Sequence, residues 1–263
     1  ILDQETTVPL ISICGSYRGI VRDDVLSEIC NIAHAKDIPV FVDDASGARN
    51  RIVSYDQRRA LDLGIDLVFT SCEKAGLYGP RAGILMGQEN LMLRIGAKAA
   101  MLGTEARPSV VASIIRALEE YQPEKAKEMF DAWTSRHKRI FDMVTPATGE
   151  ALDYGAYSGV YMSVEDFAEL VLKKANIDEV DLAPVDIITL HAMVMLRRHG
   201  FMTIAPLHYP GATKLMSVKV NSLRSPDLTD EDIATGVLDA LQETAHLVTN
   251  KSAAEAVMFK SPS

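Results

Sequence analysis

The stretch Gly64-Ile-Asp-Leu-Val-Phe-Thr-Ser-Cys-Glu-Lys74-Ala-Gly-Leu-Tyr-Gly-Pro80-Arg-Ala-Gly83 joins an apolar run to a glycine-rich turn, with a lysine between them. Leu67 to Thr70 reads as a short strand, Gly79-Pro80 as a turn, and Gly83 to Gly87 as the strand that follows it. Lys74 therefore stands just past a strand end, close to Ser71. A glycine-rich turn at such a place lets backbone approach a ligand closely, and it serves equally as an ordinary tight connection.

Upstream, Val8 to Cys14 reads as a buried strand and Asp23 to Ala35 as a helix opened by Asp23 or Asp24. Pro39 to Val42 reads as a strand ending on Asp43-Asp44, and Gln57 to Gly64 as a helix. Short apolar strands separated by helical patterns predict an α/β domain with a mainly parallel sheet covered on both faces. In such sheets ligands sit beyond the carboxyl ends of the strands. Asp43 and the segment Ser71 to Lys74 both fall at that edge, which predicts a shared pocket.

Downstream the character changes. Pro108 to Tyr121 and Glu124 to Met143 have helical spacing and suit helices bridging two domains. After Pro146-Ala-Thr-Gly149 come strand-like Gly159 to Met162, helices Val164 to Lys174 and Asp186 to His199, strand-like Phe201 to Ala205 and Leu215 to Asn221, and helix Thr229 to Val248. Thr229, with Asp232 three residues on, is an N-cap signal with an acidic first turn. This predicts a large domain over 1–145, bridging helices included, and a smaller α+β domain over 146–263.

Twenty-seven basic against 36 acidic side chains leave a formal net charge of −9, with no basic run, which disfavours nucleic acid as a partner. Cys14, Cys30 and Cys72 form no CxxC pair and cannot all pair within one chain, as expected of reduced thiols in the cytoplasm. No apolar run reaches the roughly 18 residues that span a bilayer, so no membrane partner is expected. His34, His137, His191, His199 and His246 lie in or at the ends of helical stretches and make no metal set with Cys or Asp. His208, in the stiff loop Pro206 to Pro210, has no visible acid/base partner. The methionines of 86–101 and 193–202 read as adaptable packing or interface surface.

The quoted stretch, with Val40-Phe-Val-Asp-Asp-Ala-Ser-Gly47 before it, resembles fold-type I pyridoxal-phosphate enzymes, the aspartate-aminotransferase-like superfamily. It is most similar to the branch of seryl-tRNA(Sec) selenium transferase and D-glucosaminate-6-phosphate ammonia-lyase. There, too, a Ser-x-x-Lys segment runs into a glycine-proline turn and an Ala-Gly strand. Residues 9–121 carry the resemblance.

The resemblance implies pyridoxal 5′-phosphate as cofactor and a role for each matching residue. Lys74 would form the Schiff base and carry the proton at the substrate carbon. Asp43 would face the pyridinium nitrogen and keep the ring an electron sink, with Asp44 the adjacent rival because strand neighbours point opposite ways. Ser71 would give a hydroxyl to the cofactor phosphate, with Thr70 as helper, and Ser16, Tyr17 or Arg18 would lie near the cofactor face. Arg224, at a strand end before an acidic helix opening, matches the arginine that receives a substrate carboxylate. Arg107, in Glu105-Ala-Arg-Pro108, matches an arginine that binds an anionic substrate or a neighbour's cofactor. Arg81 serves this site or a structural or subunit contact.

The family also supplies a phosphate-cradling turn and a ring-stacking residue well before the aspartate. Only 42 residues precede Asp43, and the chain opens on Ile1 rather than methionine, so an N-terminal part of the large domain is expected to be missing. Three reactions fit the skeleton. The first expectation is a lyase that abstracts an α-proton from a small anionic amino acid or amino-sugar acid and eliminates ammonia or another β-leaving group. The alternatives are a selenium-transferase-like enzyme on seryl-tRNA, and an aminotransferase or aldolase; a catalytically inactive structural relative is the non-enzyme alternative. A homodimer or larger homo-oligomer is expected, because family sites borrow residues from a neighbouring subunit.

Overall fold

The computed structural model describes residues 8–15, 20–149, 151–155, 159–203, 215–219 and 228–259. The chain divides into two compact units, 1–131 and 132–263. In the first, β1 (Ile11–Cys14), β2 (Val40–Asp43) and β3 (Leu67–Ser71) run parallel, and β4 (Gly83–Gly87) closes the order β1-β2-β3-β4 antiparallel to β3. The expected mainly parallel sheet is therefore present, with one antiparallel strand. A Cβ on Gly83 would stand 2.0 Å from the Phe69 ring, so with glycine there the ring lies across β4 undisturbed.

The helix α1 (Asp23–His34) connects β1 to β2 and buries Leu26, Cys30 and Ala33, spaced four and three residues apart along one face. That face packs on Val40, Val42 and Val68 of the strands and on Ile38, Ala60, Leu63 and Ile65. Asp66 ties three elements at the amino end of β3. Its carboxylate accepts from Val40 N at 2.7 Å, meets His34 Nε2 at 2.8 Å, and accepts from the Gln88 side chain.

Gln57 to Gly64 departs from the helix expected there. Asp56 adopts a left-handed backbone (φ +49°), Gln57 N turns back to Arg51 O at 3.0 Å, and only Ala60–Leu63 coils, as one 3₁₀ turn. A helix not foreseen from the sequence, α2 (Gly47–Tyr55), precedes it. Beyond β4 follow α3 (Glu89–Leu102), α4 (Pro108–Glu119), which carries proline in its first turn, and α5 (Pro123–Thr148), within which the division at 131 falls.

The second unit carries β5 (Asp153–Gly155), β6 (Gly159–Ser163) and β7 (Leu215–Val218) as an antiparallel sheet with β6 central. Its helices are α6 (Val164–Ala175), α7 (Pro184–His199), α8 (Asp230–Leu247) and α9 (Lys251–Phe259). Its core joins Val160 and Met162 of β6 to Phe167 and Val171, Ile187 and Leu190, and Ala240 and Leu241 of the helices. Thr229 caps α8 as its sequence spacing predicts, accepting from Asp232 N at 3.0 Å. Phe201 to Thr203 is not strand. Gly200 ends α7 left-handed (φ +70°) and Phe201 N bonds back to Met195 O at 3.2 Å, so this segment finishes the helix instead.

Candidate active site

Beyond their paired registers, β2 and β3 stay laced. Asp44 N donates to Phe69 O and Ser71 N to Ala45 O, each at 3.0 Å. This lacing brings Asp43, Thr70, Ser71 and Lys74 to one carboxyl edge of one sheet, where parallel strands present their ligand-binding side.

The two neighbouring aspartates diverge as strand alternation requires. Asp43 shares the half-exposed side of β2 with Phe41, and its Oδ1 accepts from Ala45 N at 3.2 Å. Asp44 is wholly buried, its Oδ2 3.3 Å from Arg51 Nε. Burial pushes the Asp44 carboxyl above its ordinary value, and the Arg51 guanidinium only partly opposes this. Arg51 itself is fully buried and also donates to Val21 O at 2.8 Å and Gln57 Oε1 at 2.7 Å.

Ser71 and Thr70 are buried at the end of β3, and the Ser71 hydroxyl lies 3.4 Å from Glu73 N. Lys74 lies in the loop between β3 and β4 with its side chain exposed. The base of that loop is closed by Cys72 N to Ala82 O at 2.9 Å and Gly79 N to Cys72 O at 2.7 Å. Ala75 and Gly76 follow in left-handed conformations, φ +53° and +81°. A Cβ on Gly76 would meet that of Ala126 at 2.9 Å, so α5 packs where only glycine fits.

Arg49 organises this loop. Its Nη1 donates to Thr70 Oγ1 at 2.9 Å, its Nη2 to Ser71 O at 2.8 Å and to Lys74 O at 2.7 Å, and its Nε to Ala75 O at 3.2 Å. Beside it, Cys72, Leu77 and Ala117 form a small apolar cluster against which Tyr121 packs. Burial raises both the Cys72 thiol and the Tyr121 phenol, with Arg49 opposing each shift.

Arg107 is exposed and is the N-cap residue of α4. Arg81 is exposed, 3.8 Å from Glu73. Ser16, Tyr17, Arg18, His208 and Arg224 lie outside the described residues. Arg49 and Arg51 escaped the sequence reading. The available signal was two arginines spaced two apart shortly after Ser46-Gly47, which carries weight only once a helix is placed there.

No family model matches the chain. It is 36% identical over 212 residues to a UPF0425 pyridoxal phosphate-dependent protein of Methanothermobacter thermautotrophicus, covering 79% of this chain and 51% of that protein. A second such protein, from Methanosphaera stadtmanae, is 27% identical over 250 residues, with coverage of 95% and 63%. An L-seryl-tRNA(Sec) selenium transferase of Aquifex aeolicus is 36% identical over 84 residues, 29% of this chain and 18% of that one. The chain thus spans 51% of the length of the first of these relatives and less than two thirds of the second.

Among solved structures, the fold matches a SepCysS–SepCysE N-terminal domain complex with TM-score 0.53 at 15% identity, over 92% of this chain and 61% of that one. A putative L-allo-threonine aldolase of Listeria monocytogenes matches with TM-score 0.52 at 16% identity, over 91% and 62%. At these identities the likeness is one of fold. Among the described residues no helix is long and apolar enough to cross a membrane.

Proposed function

We propose, from the premise that the chain belongs to the fold-type I pyridoxal-phosphate-dependent superfamily, that its first unit is the lysine-bearing cofactor site, with Lys74 as the Schiff-base residue. The observation that carries this is the meeting of Asp43, Thr70, Ser71 and Lys74 at one carboxyl edge of adjacent parallel strands. The donor set suits the group. A half-exposed carboxylate keeps one oxygen clear of its backbone bond, two hydroxyls end the next strand, and an exposed primary amine follows them.

Bound there, pyridoxal phosphate would supply an aldehyde for an amine and an electron sink for a substrate carbanion. Asp43 would hold the proton on the pyridine nitrogen, and Ser71 and Thr70 would donate to the phosphate. Lys74 would move the proton at the substrate carbon, and its exposure leaves it free to reach. Arg107 would take an anionic group of the substrate.

For the reaction, the selenium-transferase relative supports transfer chemistry over the β-eliminating lyase, and aminotransfer or aldol cleavage fits the same skeleton. All of these begin with the same lysine. A small anionic amino acid or amino-sugar acid, or the aminoacyl end of a seryl-tRNA, would be the substrate, and the assembly would be a homodimer or larger.

The test is reduction of the chain with borohydride in the presence of pyridoxal phosphate, followed by peptide mass analysis. Modification at Lys74, absent from Lys74→Ala, is expected; its absence from the wild-type chain sinks the reading. Ammonia and 2-keto acid release from amino-sugar phosphates or β-substituted amino acids would restore the lyase. Salt-sensitive binding of seryl-tRNA would favour the transferase.

A further inference from the structure

We infer that Arg49 is the positioning residue of the Lys74 loop, a role that rests on reading Lys74 as the cofactor lysine. Its guanidinium satisfies four acceptors that flank the lysine on both sides: Thr70 Oγ1 and Ser71 O before it, Lys74 O and Ala75 O at and after it. The backbone from 70 to 75 therefore bends around one planar cation, with all three guanidinium nitrogens in use. Arginine alone among the side chains carries five donors in a rigid fork, and a lysine ammonium offers three from a single point.

Other contacts of the loop do only part of this work. Cys72 N to Ala82 O and Gly79 N to Cys72 O close its base, and Leu77 N reaches Lys74 O at 3.1 Å. Ala75 is buried and left-handed, a conformation unfavourable for an L-residue that persists only where the surroundings over-determine it. The Arg49 bond to Ala75 O is part of that determination. The Lys74 side chain is exposed, so the direction of its stem depends on how firmly its backbone is held.

The same guanidinium orients a hydroxyl. Thr70 Oγ1 accepts from Arg49 Nη1, so its own proton points away from the guanidinium and is available to an anion. Arg49 thus sets both the lysine backbone and one hydroxyl of the edge where the phosphate would bind, without itself touching the reacting atoms.

The test uses the full chain as wild type, Arg49→Gln, Arg49→Lys and Lys74→Ala. Without cofactor, hydrogen exchange of the Leu77 and Gly79 amides reads the loop, and the β2 amides serve as a folding control. With pyridoxal phosphate, the pH midpoint of the Lys74-dependent visible absorbance and the rate of borohydride trapping read the lysine. Arg49→Gln is expected to raise exchange at Leu77 and Gly79 roughly tenfold or more, to slow trapping by a similar factor and to move the pH midpoint. Arg49→Lys is expected to recover part of the exchange protection and little of the midpoint, and it carries the test if the glutamine variant does not fold. Unchanged exchange, or faster exchange with wild-type trapping and midpoint, overturns the role of Arg49 alone. A wild-type chain without Lys74-dependent absorbance overturns the cofactor reading, and the positioning role with it.

Discussion

The carboxylate of Asp44 and the guanidinium of Arg51 meet at 3.3 Å with neither side chain exposed. Asp23 adds a third charge, 3.5 Å from Arg51 Nη1, so one cation joins the start of α1, the end of β2 and α2. Removing one partner of such a pair leaves an uncompensated buried charge. Arg51→Ala is expected to lower the unfolding free energy by about 3–5 kcal/mol in urea titrations. A loss under about 1 kcal/mol would mean that water reaches Asp44 and that the pair does not hold α2 in place.

Asp43 is half-exposed and Asp44 is buried against Arg51, and substitution tests the binding role proposed for the first against the structural role of the second. Asp43→Asn is expected to change stability by no more than about 0.5 kcal/mol while weakening pyridoxal phosphate binding roughly tenfold. Asp44→Asn is expected to cost about 3 kcal/mol of stability, because Arg51 then loses one of its two carboxylates, the fully buried one. Denaturant unfolding and cofactor titration of both variants decide the matter. Loss of binding in the Asp44 variant, at unchanged stability, would exchange the two roles.

The approach of β4 to β3 gives a further expectation. A methyl group on Gly83 would sit inside the Phe69 ring volume, 2.0 Å from its nearest atom, and both residues lie in paired strands that cannot easily move apart. Gly83→Ala is expected to cost about 1–3 kcal/mol, the range for overpacking. Gly83→Ala paired with Phe69→Leu should recover part of the loss, and failure to recover would point to backbone rather than ring contact.

How far the sequence disclosed this structure follows from which forces are local. The strands at Val40, Leu67 and Gly83 and helices such as Val164 to Lys174 were legible because burial period and caps are written within a few residues. Asp43, Ser71 and Lys74 were legible at one edge because strands separated by helical patterns run parallel and turn their carboxyl ends to the same side. Arg49 was not. Its acceptors are backbone carbonyls of residues 71, 74 and 75 and a threonine hydroxyl more than twenty positions away, and carbonyls leave no mark in a sequence. The helix α2 was hidden for a related reason. Its residues 50 and 51 are buried polar side chains, so it lacks the apolar stripe that announces a surface helix. The division of the chain at 131 falls inside α5, between Pro123 and Pro146, where no glycine or proline punctuates the chain.

The second unit should lose stability in mild acid through two buried histidines. His137 bonds Gly155 O at 2.9 Å and His191 packs tilted against the Phe167 ring, 4.9 Å between centroids; burial lowers each from an ordinary 6.5 to about 4. Both are bases with depressed folded values. Their contribution is complete above about pH 6.5, where the unfolded chain is also neutral, and is lost as the pH falls from 6.5 through 4. Each gap corresponds to about 3 kcal/mol. Asp230 is also held below its ordinary value: burial acts to raise it, but the hydrogen bonds of Arg136 and Arg139 outweigh that, and its effect falls at still lower pH. Melting temperature measured across this window should therefore drop steadily toward pH 4. His191→Leu should flatten the slope by roughly half while keeping the Phe167 contact apolar. An unchanged slope in that variant would show that His191 takes up its proton in the folded chain, which the orphaned and buried Nε2 argues against.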